Sequence, residues 1–239
     1  MKKIYYEIYE DLREKIIAGV YPFQTYIPSE LRLIEIYECS HNTVRKALAV
    51  LASHGFVQPV RGKGVIVIWQ PHRRTRFELG GIETFQEAAE RCDLEPSTRV
   101  RLFEQIVATP QIAELTGFAE GTELVHLERI RHFDGADLIL DKSYFLASCV
   151  EGLTEEIAER SIFTYLESVL GMKIATSNRT ITMEYATTDD REALDLLDFD
   201  MLAVVENHTF NGDGVMFEVT QSRHRPDYFT FSTTAIRDF

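Results

Sequence analysis

Residues 40–68 read Ser-His-Asn-Thr-Val-Arg-Lys-Ala-Leu-Ala-Val-Leu-Ala-Ser-His-Gly-Phe-Val-Gln-Pro-Val-Arg-Gly-Lys-Gly-Val-Ile-Val-Ile. Val44, Ala47, Leu48 and Leu51 recur at three- and four-residue intervals, the pattern of an amphipathic helix. Ser40 stands where an N-cap belongs, and Gly55 suits the left-handed residue beyond the helix end. The opposite face carries His41, Asn42, Arg45, Lys46 and Ala49. Residues 56–60 and 65–68 then read as short strands joined by the tight turn Arg61-Gly62-Lys63-Gly64.

Working toward the N-terminus, Ile8, Leu12 and Ile16 keep a four-residue spacing across residues 5–18, and Gly19 and Pro22 close that helix. Pro28-Ser29 opens another, with Ser29 as N-cap. Its spacing places Leu31 and Ile34 on the inner face, with Tyr37 as a further candidate. Three helices and a hairpin make a winged helix-turn-helix. In that arrangement the first turns of the third helix enter a major groove. Asn and Arg make bidentate contacts with base edges, and glycines at a wing tip let the backbone approach a sugar-phosphate edge. A basic helix face alone is more often simply solvated. The cationic hairpin behind it is what favours DNA. Gly62-Lys63-Gly64 is not a nucleotide-binding loop, since no helix follows to complete one.

Charge supports the same division. The 239 residues carry a net −13, which by itself disfavours a nucleic-acid partner. Residues 1–76, however, hold twelve Lys/Arg and seven Asp/Glu, whereas residues 77–239 hold thirteen and thirty-one. Residues 41–76 contain seven cations and no acid. A nucleic-acid-facing module joined to an acidic partner domain gives this asymmetry.

The remaining bulk features exclude several classes. A hydrophobic share of 45% with 26% charged residues is that of a globular protein. The longest apolar runs are strand-sized, so no membrane span is expected. The N-terminal residues lack the apolar core of a secretory signal. Cys39, Cys92 and Cys149 are odd in number and far apart, which predicts reduced thiols in a cytoplasmic protein, with no disulfide framework and no zinc site.

Pro71, the cluster Arg73-Arg74-Arg76 and Gly80-Gly81 mark a boundary, dividing the chain into a head (1–69), a linker (70–81) and a larger domain (82–239). In the larger domain, helices are expected over 84–91, 110–115 (Thr109 as cap, Pro110 first), 154–159, 162–170 and 189–197. Strands are expected over 99–107, 123–133, 137–145, 174–185, 202–210, 215–224 and 228–233. Asp134-Gly135 and the run Asn211 to Gly214 are hairpin signals, so the sheet should be antiparallel and the class α+β. Arg129 and Arg131 alternate with Ile130 and share a strand face. They read either as an anion clamp or as a stripe that is solvated or paired to Asp141. No nucleophile–base constellation is present, which argues against an enzyme with an appended DNA-binding tag. A partner-binding protein with an empty second domain is a further alternative.

The residues Pro28-Ser29-Glu30, Thr43 to Leu48, Leu51, Gly55 and Arg61 to Gly64 resemble the winged-helix domain of GntR-family transcription regulators, over about residues 4–69. The resemblance implies that Arg45 reads bases, that Asn42 and Thr43 contact phosphates or bases, and that Gly64 enters the minor groove. The implied DNA-binding set is Ser29, Glu30, Ser40, His41, Asn42, Thr43, Arg45, Lys46, Arg61, Gly62, Lys63 and Gly64. His41 stands where the family commonly has Arg, and Leu31 where some members carry a DNA-contacting Arg.

Beyond the linker, Thr84-Phe85, Leu127 to Arg131, Leu140 to Phe145, Ser161 to Phe163 and Ser222 to Arg225 resemble the UTRA effector domain of the HutC branch of that family. That implies a chorismate-lyase-like fold, dimerisation, and a sugar-phosphate or metabolite effector. The phosphate would lie at Thr84-Phe85, with Arg129 and Arg131 closing the clamp and Ser161 donating a hydroxyl. Asp141, Glu218 and His224 would face sugar hydroxyls, while Phe163 and His224 replace a Tyr of some members. Residues 139–145 and 222–227 are most similar to the trehalose-operon group of the branch, which implies trehalose 6-phosphate as effector. Another sugar phosphate, such as an amino-sugar phosphate, is the alternative. The expected whole is a homodimeric repressor of double-stranded operator DNA that needs no cofactor.

Overall fold

The computed structural model describes residues 4–70 and 97–231, which fall into two compact units. The first holds helices α1 (Ile4–Ile17), α2 (Glu30–Tyr37) and α3 (His41–Ser53), then strands β1 (Val57–Val60) and β2 (Gly64–Val67). The starts of α2 and α3 have their expected caps. The Ser29 side chain accepts from the Arg32 amide, and that of Ser40 accepts from the Thr43 amide. Gly19 and Gly55 both sit at φ 75°, which a Cβ would oppose. Ile8, Leu12, Ile16, Val44, Ala47, Leu48 and Leu51 form one core with Val57 and Val67. β1 and β2 pair antiparallel, with Val60 opposite Gly64, so Arg61-Gly62-Lys63 is the hairpin tip.

One expectation fails here. Leu33 is fully buried, whereas Leu31 is 71% exposed. The stripe that docks α2 is Leu33, Ile34 and Tyr37. Tyr37 also donates its hydroxyl to Asp11 on α1, which fixes the rotation of α2.

The second unit is a six-stranded antiparallel sheet in the order β3-β4-β5-β8-β7-β6. Its strands are β3 (Ser97–Val107), β4 (Glu123–Phe133), β5 (Ala136–Leu146), β6 (Ile174–Tyr185), β7 (Met201–Asn211) and β8 (Met216–His224). Its helices are α4 (Pro110–Thr116), α5 (Glu155–Glu159), α6 (Ile162–Ser168) and α7 (Thr188–Ala193). Both hairpin signals hold: Asp134 and Gly135 adopt φ 53° and 76° between β4 and β5, and Gly214 adopts φ 79° before β8. α5 and α6 close one face over Val125, Leu127, Phe145 and Phe217. On the other face, a separate cluster joins Ile130, Leu140 and Val204 to the α7 segment through Ala193, Leu194 and Leu196.

Three element expectations need correction. The helix expected over 189–197 ends at Ala193, because Leu194 turns extended at ψ 147° to enter that cluster. The helix expected over 162–170 ends at Ser168. The strand expected over 228–233 is not formed in its described part: Pro226–Tyr228 make a 3-10 turn, with Tyr228 edge-on to Phe133 at 5.3 Å. The expected helix over 84–91 lies outside the described residues.

Candidate functional site

In the first unit, the start of α3 is a polar surface. Ser40 and Thr43 hold that start together, their hydroxyls 2.8 Å apart, while His41, Asn42 and Arg45 are exposed beside them. Glu30, in the first turn of α2, faces them: its Oε2 lies 3.0 Å from His41 Nε2 and 3.6 Å from Arg45 Nε. Lys46 leans away, with its ammonium 4.3 Å over the Tyr5 ring. At the wing, Gly62 and Gly64 take φ 74° and 116°, and Arg61 and Lys63 are exposed. A Cβ on Gly64 would meet Tyr26 at 3.6 Å, ordinary contact, so backbone conformation rather than space selects glycine there.

In the second unit, strand register gathers the expected residues. Arg129 lies opposite Asp141, Asp141 opposite Ser222, and Ile139 links Arg131 to His224. Positions two apart share a face. Arg129, Arg131, Asp141, Glu218, Ser222 and His224 therefore project to one side of the sheet, joined by Ser143 and Thr220. All but Ser222 are buried.

A polar patch inside a protein must be paired, and most of this one is. Arg131 places Nε and a terminal nitrogen 2.8 Å from Asp141 Oδ2, and Nη1 donates to Thr98 at 2.7 Å. The Ser222 hydroxyl donates to Asp141 at 2.6 Å. Arg129 is held more loosely. Nη1 donates to the Ala158 carbonyl of α5 at 3.3 Å, and Nη2 stands 3.7 Å from Asp141. Its Nε is buried with no hydrogen-bond partner among the described residues.

The electrostatics follow. Burial, with the like charge of Arg131, lowers Arg129 to about 9 against the pull of Asp141 and Glu218. Burial works to raise Asp141, but Arg131, Arg129 and the Ser222 hydroxyl outweigh it and hold the carboxyl below its usual range. Burial raises Glu218, and the hydrogen bonds from Thr220 and Thr209 only partly offset that. His224 is lowered to about 4 by burial. The open choice between clamp and paired stripe thus splits by residue: Arg131 is paired to Asp141, and Arg129 remains under-satisfied.

Two further expected residues also make contacts within the fold. Ser161 caps α6, accepting from the Thr164 amide at 3.2 Å. Phe163 packs 6.3 Å from the Phe217 ring, in the apolar cluster under α6. Thr84 and Phe85 lie outside the described residues. Arg223 and Arg225, neighbours in the Ser222 to Arg225 motif, are structural. Arg223 grips Asp190 bidentately at 2.7 and 3.0 Å, and Arg225 pairs with Asp227 at 2.8 Å. Thr98, Ser143 and Thr220 were missed as polar wall. The alternation Glu218, Thr220, Ser222, His224 along one face of the strand would have revealed Thr220.

No group of three or more His, Cys, Asp or Glu could hold a metal ion among the described residues, and no described helix is long and apolar enough to cross a membrane. A winged-helix head followed by a sheet domain with a buried cationic patch defines a transcription regulator with an effector domain. The chain matches the family described as bacterial regulatory proteins, gntR family, over residues 4–67, and the UTRA domain over residues 91–230. It belongs to the GntR family of transcriptional regulators, in the branch that carries a UTRA domain, and is not an enzyme.

Within that family it is similar to the HTH-type transcriptional regulator TreR of Bacillus subtilis, at 37% identity over 230 residues and 96% of each chain. GmuR of the same organism is 27% identical over 97% of this chain and 98% of its own. The solved effector-binding domain of the B. subtilis trehalose repressor TreR aligns with a TM-score of 0.55 at 37% identity, covering 60% of this chain and 99% of that one. YydK of B. subtilis shares the fold, with a TM-score of 0.81 at 22% identity over 98% of this chain and 100% of its own.

Proposed function

We propose that this regulator is a cytoplasmic, homodimeric repressor of a trehalose-utilisation operon, and that a sugar phosphate, trehalose 6-phosphate, controls its hold on operator DNA. The first turns of α3 read the major groove, Arg45 through base edges and Asn42 and Thr43 through bases or phosphates. Ser29, Glu30, Ser40, His41 and Lys46 border that surface. The wing, Arg61 to Gly64, follows the adjacent backbone. The head spans residues 1–69, the linker 70–81 and the effector and dimerisation domain 82–239.

The observation that carries the effector reading is Arg129. A guanidinium that is 6% exposed, with one nitrogen unpartnered and its nearest carboxylate 3.7 Å away, is costly to bury. A phosphate oxygen would supply the missing acceptor in planar, bidentate geometry. Arg131 and Asp141 hold the position, while Glu218 and His224 line the sugar side. Thr84, Phe85 and Ser161 supply the remaining donors, with Phe163 behind them. The similarity to TreR over nearly the whole chain supports trehalose as the sugar.

A ligand that prefers one arrangement of the two heads shifts their spacing relative to the half-sites, by a coupling of about 1–3 kcal/mol. The test is a thermal-shift and operator-retardation series on the full chain with trehalose 6-phosphate, glucose 6-phosphate and glucosamine 6-phosphate. The expected result is that the first raises the melting point most and changes DNA retention. A larger effect from the amino-sugar phosphate would reassign the effector.

A further inference from the structure

The polar face of the sheet holds two buried acids and treats them oppositely. Asp141 is clasped by Arg131 at 2.8 Å and by Ser222 at 2.6 Å. Glu218 is equally buried, at 5% exposure, yet no cation stands within ion-pair distance of it among the described residues. Its partners are hydroxyls: Thr220 at 2.9 Å on its own strand, and Thr209 on β7. The charged groups around it are Arg129 and Arg131 on β4 and Asp141 on β5, beside the neutral, buried His224 on β8. Beyond β7, Arg179 on β6 is turned to Asn207 at 2.7 Å. α5 contributes the Ala158 carbonyl that Arg129 already uses. A buried carboxyl with hydroxyl partners alone is favoured in its neutral form.

We propose that Glu218 serves the effector site as a protonated acid, donating a hydrogen bond to an oxygen of the bound phosphate-bearing sugar. This rests on the effector reading above and adds the protonation that goes with it. Arg129 is the nearest charge favouring ionised Glu218. A phosphate monoester brings about −1.5 to −2 charges near neutral pH, and seated on Arg129 it cancels that favourable field. Two negative groups on one buried face then compete for one cation, and the carboxyl keeps its proton instead. The proton comes from solvent, and no bond in the ligand is made or broken. As a neutral donor, Glu218 selects an oxygen-rich anion that its ionised form would repel.

Binding and protonation are linked reciprocally. Once pH exceeds the value at which empty-site Glu218 ionises, binding must return the proton, and affinity falls by up to about tenfold per pH unit. The experiment is isothermal titration of the full chain with trehalose 6-phosphate, from pH 6 to 8, below the value of about 9 to which burial lowers Arg129, in buffers of low and high ionisation enthalpy. Wild type is compared with Glu218→Gln, which keeps a donor but cannot titrate. The expected result is greater proton uptake on binding in wild type than in the variant, with affinity falling more steeply with pH in wild type. Difference infrared spectra of wild type, which need no variant, should show the carbonyl band of a protonated carboxyl in the complex. Equal pH slopes and equal proton uptake in the two proteins, or no such band, would overturn the proposal. Heat from neither protein would instead remove the effector reading itself, and this inference with it.

Discussion

Glu30 lays Oε2 3.0 Å from His41 Nε2, joining the first turn of α2 to the first turn of α3 across the polar surface there. The same oxygen lies 3.6 Å from Arg45 Nε, so one carboxylate faces both exposed side chains. His41→Arg replaces an imidazole by a permanent guanidinium fork. Duplex affinity should rise, and the slope of log K against log salt should steepen by about one, read by fluorescence anisotropy from low to moderate salt.

Arg45 and Lys63 should separate base reading from phosphate attraction. Arg45→Ala is expected to cost about 1–3 kcal/mol at the operator and to relax base preference at one position. Lys63→Ala should weaken all sequences alike and reduce the salt slope by about one. Equal losses on operator and mixed-sequence duplex in both variants would contradict that division.

Asp141 should matter for stability as well as for ligand. Removing it by Asp141→Ala leaves two buried guanidinium groups uncompensated, a loss of about 3–5 kcal/mol. Urea denaturation of the full chain should show a lower midpoint for the second unit and none for the first.

Acid should weaken the second unit through Asp190. That carboxyl is fully buried. Burial works to raise it, but the bidentate Arg223 and the capping Thr187 outweigh burial and hold it below its usual value. Its contribution is therefore present above the unfolded value, near 4, and is lost as pH falls through the folded one. Thermal melts between pH 3 and 6 should fall steeply for wild type and less steeply for Asp190→Asn, which is already weakened at pH 6.

The helices and strands were legible where one local rule sufficed. Ser29, Ser40 and Thr109 cap the helices they precede, and β4 and β6 run over 123–133 and 174–185 as the alternation implied. The misjudged pieces were those whose partner is distant in sequence. Leu31 and Leu33 have equal local claims to the interior, and only the docking of α2 on α1 and α3 chose Leu33. Leu194 continues a helical pattern, yet leaves the helix to join Ile130 and Leu140.

Sequence alone determined the cationic head, the hairpin with its glycines, the strand pattern and the placing of Arg129 and Arg131 on one face. Each of these depends on spacing within a few residues or on charge summed along the chain. Which guanidinium is spent and which is left over was decided only by tertiary structure. Asp141 comes from the strand on one side of Arg131 and Thr98 from the strand on the other, while Ser222, one strand further, holds Asp141 in place. Pair energies of buried charges change with each tenth of a nanometre and with every nearby hydroxyl, and those distances exist only once the sheet has closed its register.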